Sequence, residues 1–148
     1  MIRRLQYNHW ANGQFITLLA QHKPEHKGHT LMNHILAAQR IWIARIAYND
    51  LATEVWPSSI QENEQNKLND QFLDNCITLC KDKPISEIIH YKNMKGTAFK
   101  STIEEILDHV LNHGTYHRGQ IAIILKEQDI EPPVTDMIYY FRVISQPT

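Results

Sequence analysis

The stretch 109-HVLNHGTYHRGQI-121 sets His109, His113 and His117 four residues apart, with Arg118, Gly119 and Gln120 directly behind the last. A neutral imidazole offers one lone pair to a divalent metal, and its other nitrogen needs a hydrogen-bond partner of its own. On an α-helix, residues four apart lie about 40° apart around the axis and about 6 Å along it. A histidine pair at that spacing is the two-ligand clip of the H-E-x-x-H motif. All three histidines cannot share one ion. His109 and His117 would be about 12 Å apart along the axis, whereas metal–nitrogen bonds are about 2 Å long. The residue after His113 is Gly114, where a zincin protease needs glutamate, so that chemistry is excluded.

Placed around the helix, Ile106, Val110, Ile121 and Ile124 form one apolar face. His117 falls in its midst, His113 on its shoulder, and His109 at the solvent rim. The adjacent pair His113 and His117 is therefore the candidate clip, and a third ligand must come from another helix. His34 is the best candidate, because it sits on an apolar stripe between Leu31 and Ala38, where a bare imidazole lacks partners. Three neutral imidazoles leave coordination positions open, the layout of a catalytic rather than a structural site. An ion so held lowers the pKa of coordinated water toward ~7, or holds a thiolate as nucleophile. The alternative at this point is a bundle whose inward histidines only make hydrogen bonds.

Neighbouring residues carry weaker signals. His9 and Asn12 lie on the inward stripe of the first helix and are candidates for lining the cavity, with a core hydrogen bond as the alternative. His109 and Gln120 are candidates for groups that touch the ligands from outside, Gln120 from the His113 side. Arg118 leaves the cavity direction and is expected in an ion pair or subunit contact, Gly119 at a close helix approach, and Tyr116 in core or interface. Trp10 and Trp42 read as packing residues, and Trp56, beside Pro57, as the tryptophan within reach of a site.

These residues need helices to hold them. Apolar periodicity predicts helices over about 2–21, over about 30–48 with Thr30 as cap, over 62–81, and over about 102–128. Ser101 with Glu104 and Thr102 with Glu105 both fit a capping box for the last of these. Residues 49–61 form a loop long enough to be functional. The segments 85–91 and 98–100 flank Asn93-Met94-Lys95-Gly96 as a β-hairpin, and 135–145 reads as a short closing helix. The expected fold is all-α, a four-helix bundle with a small β-hairpin inserted before the last long helix, one domain over 1–148.

Composition narrows the class. Fifteen basic against sixteen acidic residues give a net charge of -1, without the basic footprint of a nucleic-acid binder. Met1-Ile2-Arg3-Arg4 lacks the apolar run of a signal peptide, and no stretch approaches a membrane span. Cys76 and Cys80, four apart on one helix, suit free thiols in a reducing cytoplasm. A cytoplasmic protein without nucleic-acid or membrane partners is the expectation.

The segments 7-YNHWAN-12, 33-NHILAAQRIWIAR-45, 113-HGTYHRGQI-121 and 136-DMIYYFR-142 occur in an order that resembles the DinB-like proteins. These are damage-inducible bacterial proteins, related to the YfiT-like group read as metal-dependent hydrolases and unrelated to the polymerase of similar name. The resemblance covers essentially the whole chain, with H-x-x-x-H-R-G-Q as its most specific part. It implies a four-helix bundle, usually homodimeric, with a divalent metal such as nickel or zinc on His34, His113 and His117. Some relatives in the wider superfamily use a low-molecular-weight thiol, as S-transferases or thiol-dependent isomerases, and many others have no established reaction. That implies a small-molecule substrate here, with a non-catalytic metal-binding stress-response protein as the alternative. No motif in this chain identifies a thiol or a substrate.

Overall fold

The computed structural model describes residues 1–23, 26–48 and 54–145. It is an all-α bundle with one hairpin: α1 (Ile2–Leu19), α2 (Lys27–Ile46), α3 (Glu62–Asp82), β1 (Ile88–Lys92), β2 (Ala98–Thr102) and α4 (Ile103–Lys126). A short α5 (Met137–Tyr139) runs on into a π-helical turn at Tyr140–Ile144. Pro24, residues 49–53 of the expected loop and residues 146–148 lie outside the described residues.

Helix starts follow side-chain chemistry. At α4 the Thr102 hydroxyl accepts from the Glu105 N–H at 3.1 Å, and the Glu105 carboxylate accepts from the Thr102 N–H at 2.7 Å. Of the two capping boxes the sequence allows, this is the one formed. The second helix starts earlier than Thr30: the His26 ring Nδ1 accepts from the Gly28 N–H at 3.0 Å and caps α2. An imidazole lone pair serves there as an Asn or Asp oxygen would. Gly28 lies in the first turn of α2, where a Cβ would come within 2.6 Å of a Leu19 methyl.

The side-chain partners give the helix directions. Leu5 shares a core cluster with Ile46, Phe72, Ile103 and Leu107, while Leu19 clusters with Met32, Leu68 and Leu125. So α1 and α4 run parallel, α2 antiparallel to both, and α3 alongside α2 in the same direction. That order forces the chain between α2 and α3 to travel back along the bundle, which is why the connection is long. The hairpin pairs antiparallel, with Ile89 opposite Ser101, and buries Ile89 in the cluster around Leu5.

Between the two apolar clusters lies a polar layer: Asn8, Asn12, Asn33, His34, Gln65, Asn69, His117 and Arg118 are all buried. Arg118, 3% exposed, makes no ion pair among the described residues. It donates from Nη1 to Asn8 Oδ1 at 2.8 Å and Asn12 Oδ1 at 2.7 Å, and from Nη2 to Thr115 Oγ1 at 3.1 Å. The expected ion pair is replaced by amide oxygens because α1 presents two asparagines at that level. Gly119 is solvent-exposed, and a Cβ there would meet nothing within 4 Å, so the close approach belongs instead to Gly114. A Cβ on Gly114 would lie 2.9 Å from Asn8 Oδ1 and 3.0 Å from Arg118 Nη1, the two atoms that bond each other.

Gly114→Ala is therefore expected to destabilise the fold by about 1–3 kcal/mol through this overpacking. Gly13→Ala, on α1 where nothing lies within 4 Å, should instead gain up to about 1 kcal/mol of helix stability. Urea unfolding of both variants checks the contrast. Equal effects would show that the Asn8–Arg118 contact exerts no constraint.

Candidate metal centre

The α2–α4 contact brings the three histidines together. Among the described residues, His34, His113 and His117 are the one His/Cys/Asp/Glu group with ligand atoms all within 4.8 Å of one another. His34 and His117 are buried and His113 is partly so. Their ring centroids are 4.9 Å apart for His34–His113, 4.8 Å for His34–His117 and 4.4 Å for His113–His117.

Which nitrogens converge is fixed from outside. His34 Nδ1–H donates to the Val55 carbonyl at 2.8 Å, since a carbonyl can only accept, and this leaves the Nε2 lone pair facing inward. His117 Nδ1–H donates to Gln120 Oε1 at 2.7 Å, with the same result for its Nε2. His34 Nε2 and His113 Nε2 are 3.1 Å apart. Two nitrogens each ~2.0–2.1 Å from one ion at a tetrahedral angle would be about 3.3 Å apart, so the donor set fits a metal with little movement. Trp56 lies flat on His34, ring centroids 3.6 Å apart and planes inclined by 3°, and stands 6.2 Å from the His117 ring.

Burial governs the protonation of the cluster. Desolvation, then the neighbouring His117, His34 and His109, push the His113 imidazole down to about 4. His34 is also lowered, chiefly by desolvation, although its bond to Val55 opposes this. Neutral imidazoles are the form that binds metal, so the pocket favours the ligand form without help from a carboxylate.

The remaining candidate residues have other surroundings. His109 stands exposed at the rim, its ring 5.2 Å from Trp42 and 5.8 Å from His113. Gln120 touches the cluster through His117, not from the His113 side, because three residues on a helix bring its amide back over that ring. His9 donates to Asp70 at 2.6 Å, and Asn12 donates to Asn69 at 3.0 Å while accepting from Arg118. Both thus engage α3 and the Arg118 layer rather than the three histidines. Tyr116 is 63% exposed with its ring 5.1 Å from His117, so it is not a core residue. Cys76 is buried, its thiol pushed up by desolvation, and neither cysteine joins the cluster. Val55 gave no signal in sequence, since a backbone carbonyl is the same in every residue. Trp56 gave only its place in a long loop.

Comparison with known proteins gives the family. The profile of the DinB family matches residues 3–146. The chain belongs to the DinB family. It is 27% identical over 155 residues to Protein DinB of Bacillus subtilis (strain 168), a match covering 91% of this chain and 90% of that protein.

The lowered His113 value predicts a pH dependence for the metal-free DinB-family protein. In the unfolded chain this imidazole takes up its proton near 6.5, and in the fold only near 4. The unfolded state therefore binds more protons across that window, so folding stability should fall as pH drops from about 6.5 toward 4. Urea midpoints measured in the presence of a chelator should show this slope, and His113→Ala should make it shallower. An unchanged slope would place the acid sensitivity elsewhere.

Proposed function

We propose that this protein is a divalent-metal-dependent enzyme, of the thiol S-transferase or hydrolase type, acting on a small electrophilic molecule, with nickel or zinc held by His34, His113 and His117. The observation that carries this is the inward convergence of ring nitrogens whose opposite atoms are tied to Val55 and Gln120. Three nitrogen ligands leave room on such an ion for a substrate group, as catalytic sites do. When bound, the ion supplies Lewis acidity and lowers the pKa of a coordinated water or low-molecular-weight thiol. The chain's own part is orientation: Val55 and Trp56 fix the His34 ring, Gln120 fixes His117, and burial favours the neutral form of His34 and His113.

One observation favours the second reading, a metal-binding stress-response protein without turnover. Among the described residues the three rings hydrogen-bond to a carbonyl, an amide and one another, and to no carboxylate that would raise their basicity. Thiol consumption by metal-loaded protein with an activated aromatic chloride separates the two readings.

Both readings require the ion. Protein purified without a nickel column should carry about one equivalent of nickel or zinc, and His34→Ala and His117→Ala should lose it while keeping their helical circular dichroism. Chelation should also lower the melting temperature of the wild type, because an ion bound only to the native state adds stability. Full metal content in the folded variants would refute the assignment.

A homodimer belongs to the same proposal. Tyr116 and Ile123, about two turns apart on one face of α4, are 63% and 60% exposed, an apolar stripe suited to a second copy. Light scattering should give twice the 17.3 kDa chain mass, and Ile123→Glu should halve it. No membrane partner is part of this proposal: among the described residues no helix is long and apolar enough to cross a bilayer. The free cysteines suit a reducing cytoplasm.

A further inference from the structure

The seam between α2 and α4 runs on from the three histidines toward the hairpin. Because the two helices are antiparallel, Trp42, about two turns after His34, meets His109, about one turn before His113. Ring centroids step from His113 to His109 at 5.8 Å and from His109 to Trp42 at 5.2 Å. Arg45 folds back over Trp42, its Cζ 4.4 Å from that ring and 5.5 Å from the ring of Tyr91 on β1. Tyr91 packs edge-on against Trp42 at 5.1 Å. The guanidinium is partly buried between these rings, and among the described residues it makes no ion pair and no side-chain hydrogen bond. Other arginines of the bundle are satisfied: Arg4 pairs with Asp108 at 2.9 Å, and Arg118 has three side-chain acceptors. Burial lowers the Arg45 pKa, with the Tyr91 phenol opposing, yet an arginine stays charged in a protein. Aromatic faces attract that charge but offer its N–H edge no acceptor.

We infer that Arg45, held by Trp42 and Tyr91, binds a carboxylate on the substrate whose other end lies at the histidine cluster, an inference that rests on the metal-dependent reading above. Stacking fixes the plane of the guanidinium, and its fork of N–H donors then meets both carboxylate oxygens in that plane. The exposed His109 ring lies between the two ends and lines the path of the connecting chain. The substrate class is thus a monocarboxylic acid with its reacting group about 12 Å from Arg45, the axial rise of the eight residues from His34 to Trp42. A dianionic phosphate would bring two charges to one cation. A neutral molecule would leave the N–H edge bare. Neither matches a single uncompensated guanidinium as well as a carboxylate does.

The test titrates ω-mercaptohexanoate, with ω-mercaptohexanol as its neutral counterpart, into the zinc-loaded full-length chain by calorimetry. Both thiols can meet the ion, and only the acid offers Arg45 a partner. Wild type should bind the acid at least tenfold more tightly than the alcohol. Arg45→Met keeps an unbranched stem over Trp42 and should erase that preference. Arg45→Lys should retain part of it, because an ammonium keeps the charge without the planar fork. Binding of the alcohol to either variant shows that the fold and the ion site are intact. The proposal is overturned if wild type binds both thiols equally, or if the preference survives in Arg45→Met. If neither thiol binds, the metal-dependent reading fails, and zinc-free protein decides on Arg45. There, hexanoate should shift the Trp42 indole N–H resonance in wild type and not in Arg45→Met. No shift in wild type overturns the Arg45 site as well.

Discussion

The hydrogen bond from His34 to the Val55 carbonyl sets the chemistry of the site. A carbonyl oxygen cannot donate, so it holds the proton on Nδ1 and leaves Nε2 as a lone pair aimed at His113 and His117. Were the ring flipped or the tautomer reversed, an N–H would point into the cluster and the three nitrogens would no longer form a donor set. The bond depends on topology. Because α2 and α3 run in the same direction, the chain joining them must return along the bundle, and it brings Val55 and Trp56 past His34 on the way. The crossover thus supplies both the acceptor at the ring edge and the aromatic surface on the ring face. A short α2–α3 turn would give neither.

The second dependence is on the polar layer that divides the core. Arg118 remains a cation in any protein environment, and taking it out of water costs several kcal/mol. Desolvation lowers its pKa, and the nearby Tyr7 opposes the shift. Three side-chain acceptors, on α1 and on α4 itself, return about 1.5–3 kcal/mol each as charge-assisted bonds. This offsets the burial only while all three are held in place. Register between α1 and α4 is therefore tightly specified at one level of the bundle, next to His117 in sequence and in space. A slip of α4 along α1 would break the Arg118 bonds and carry His117 away from His34 together.

Much of this was legible in the sequence. Helical spacing alone separates His113 and His117 from His109, and the apolar stripe around His34 marks it as a buried imidazole lacking partners. The hairpin, the Thr102 cap and the closing helix also follow from local patterns, because their stabilising contacts lie within a few residues. What local patterns could not give is whatever a second helix decides. Asn12 is buried as the periodicity says but bonds Asn69 on α3, while His9 is only partly buried and turns to Asp70 at the surface, away from the histidines. Gly114 rather than Gly119 is the tight glycine because Asn8, more than a hundred residues away in the chain, stands opposite it. The His26 cap was missed because a histidine ring is an unusual helix cap, so Thr30 looked the better candidate.

The distribution of rigidity bears on what the site can do. All three histidines sit mid-helix, so their positions are set by the α2–α4 packing, whereas Trp56 is half exposed and belongs to the crossover. Movement of that segment would uncover the face of His34 and release its Nδ1 from Val55 at once, coupling access to ligand orientation. Gln120, by contrast, is on the same helix as His117 and stays with it. One histidine is thus anchored by its own helix and another by a separate stretch of chain. A ligand approaching from the Trp56 side would therefore act first on His34, while His113 and His117 kept the clip that their spacing provides.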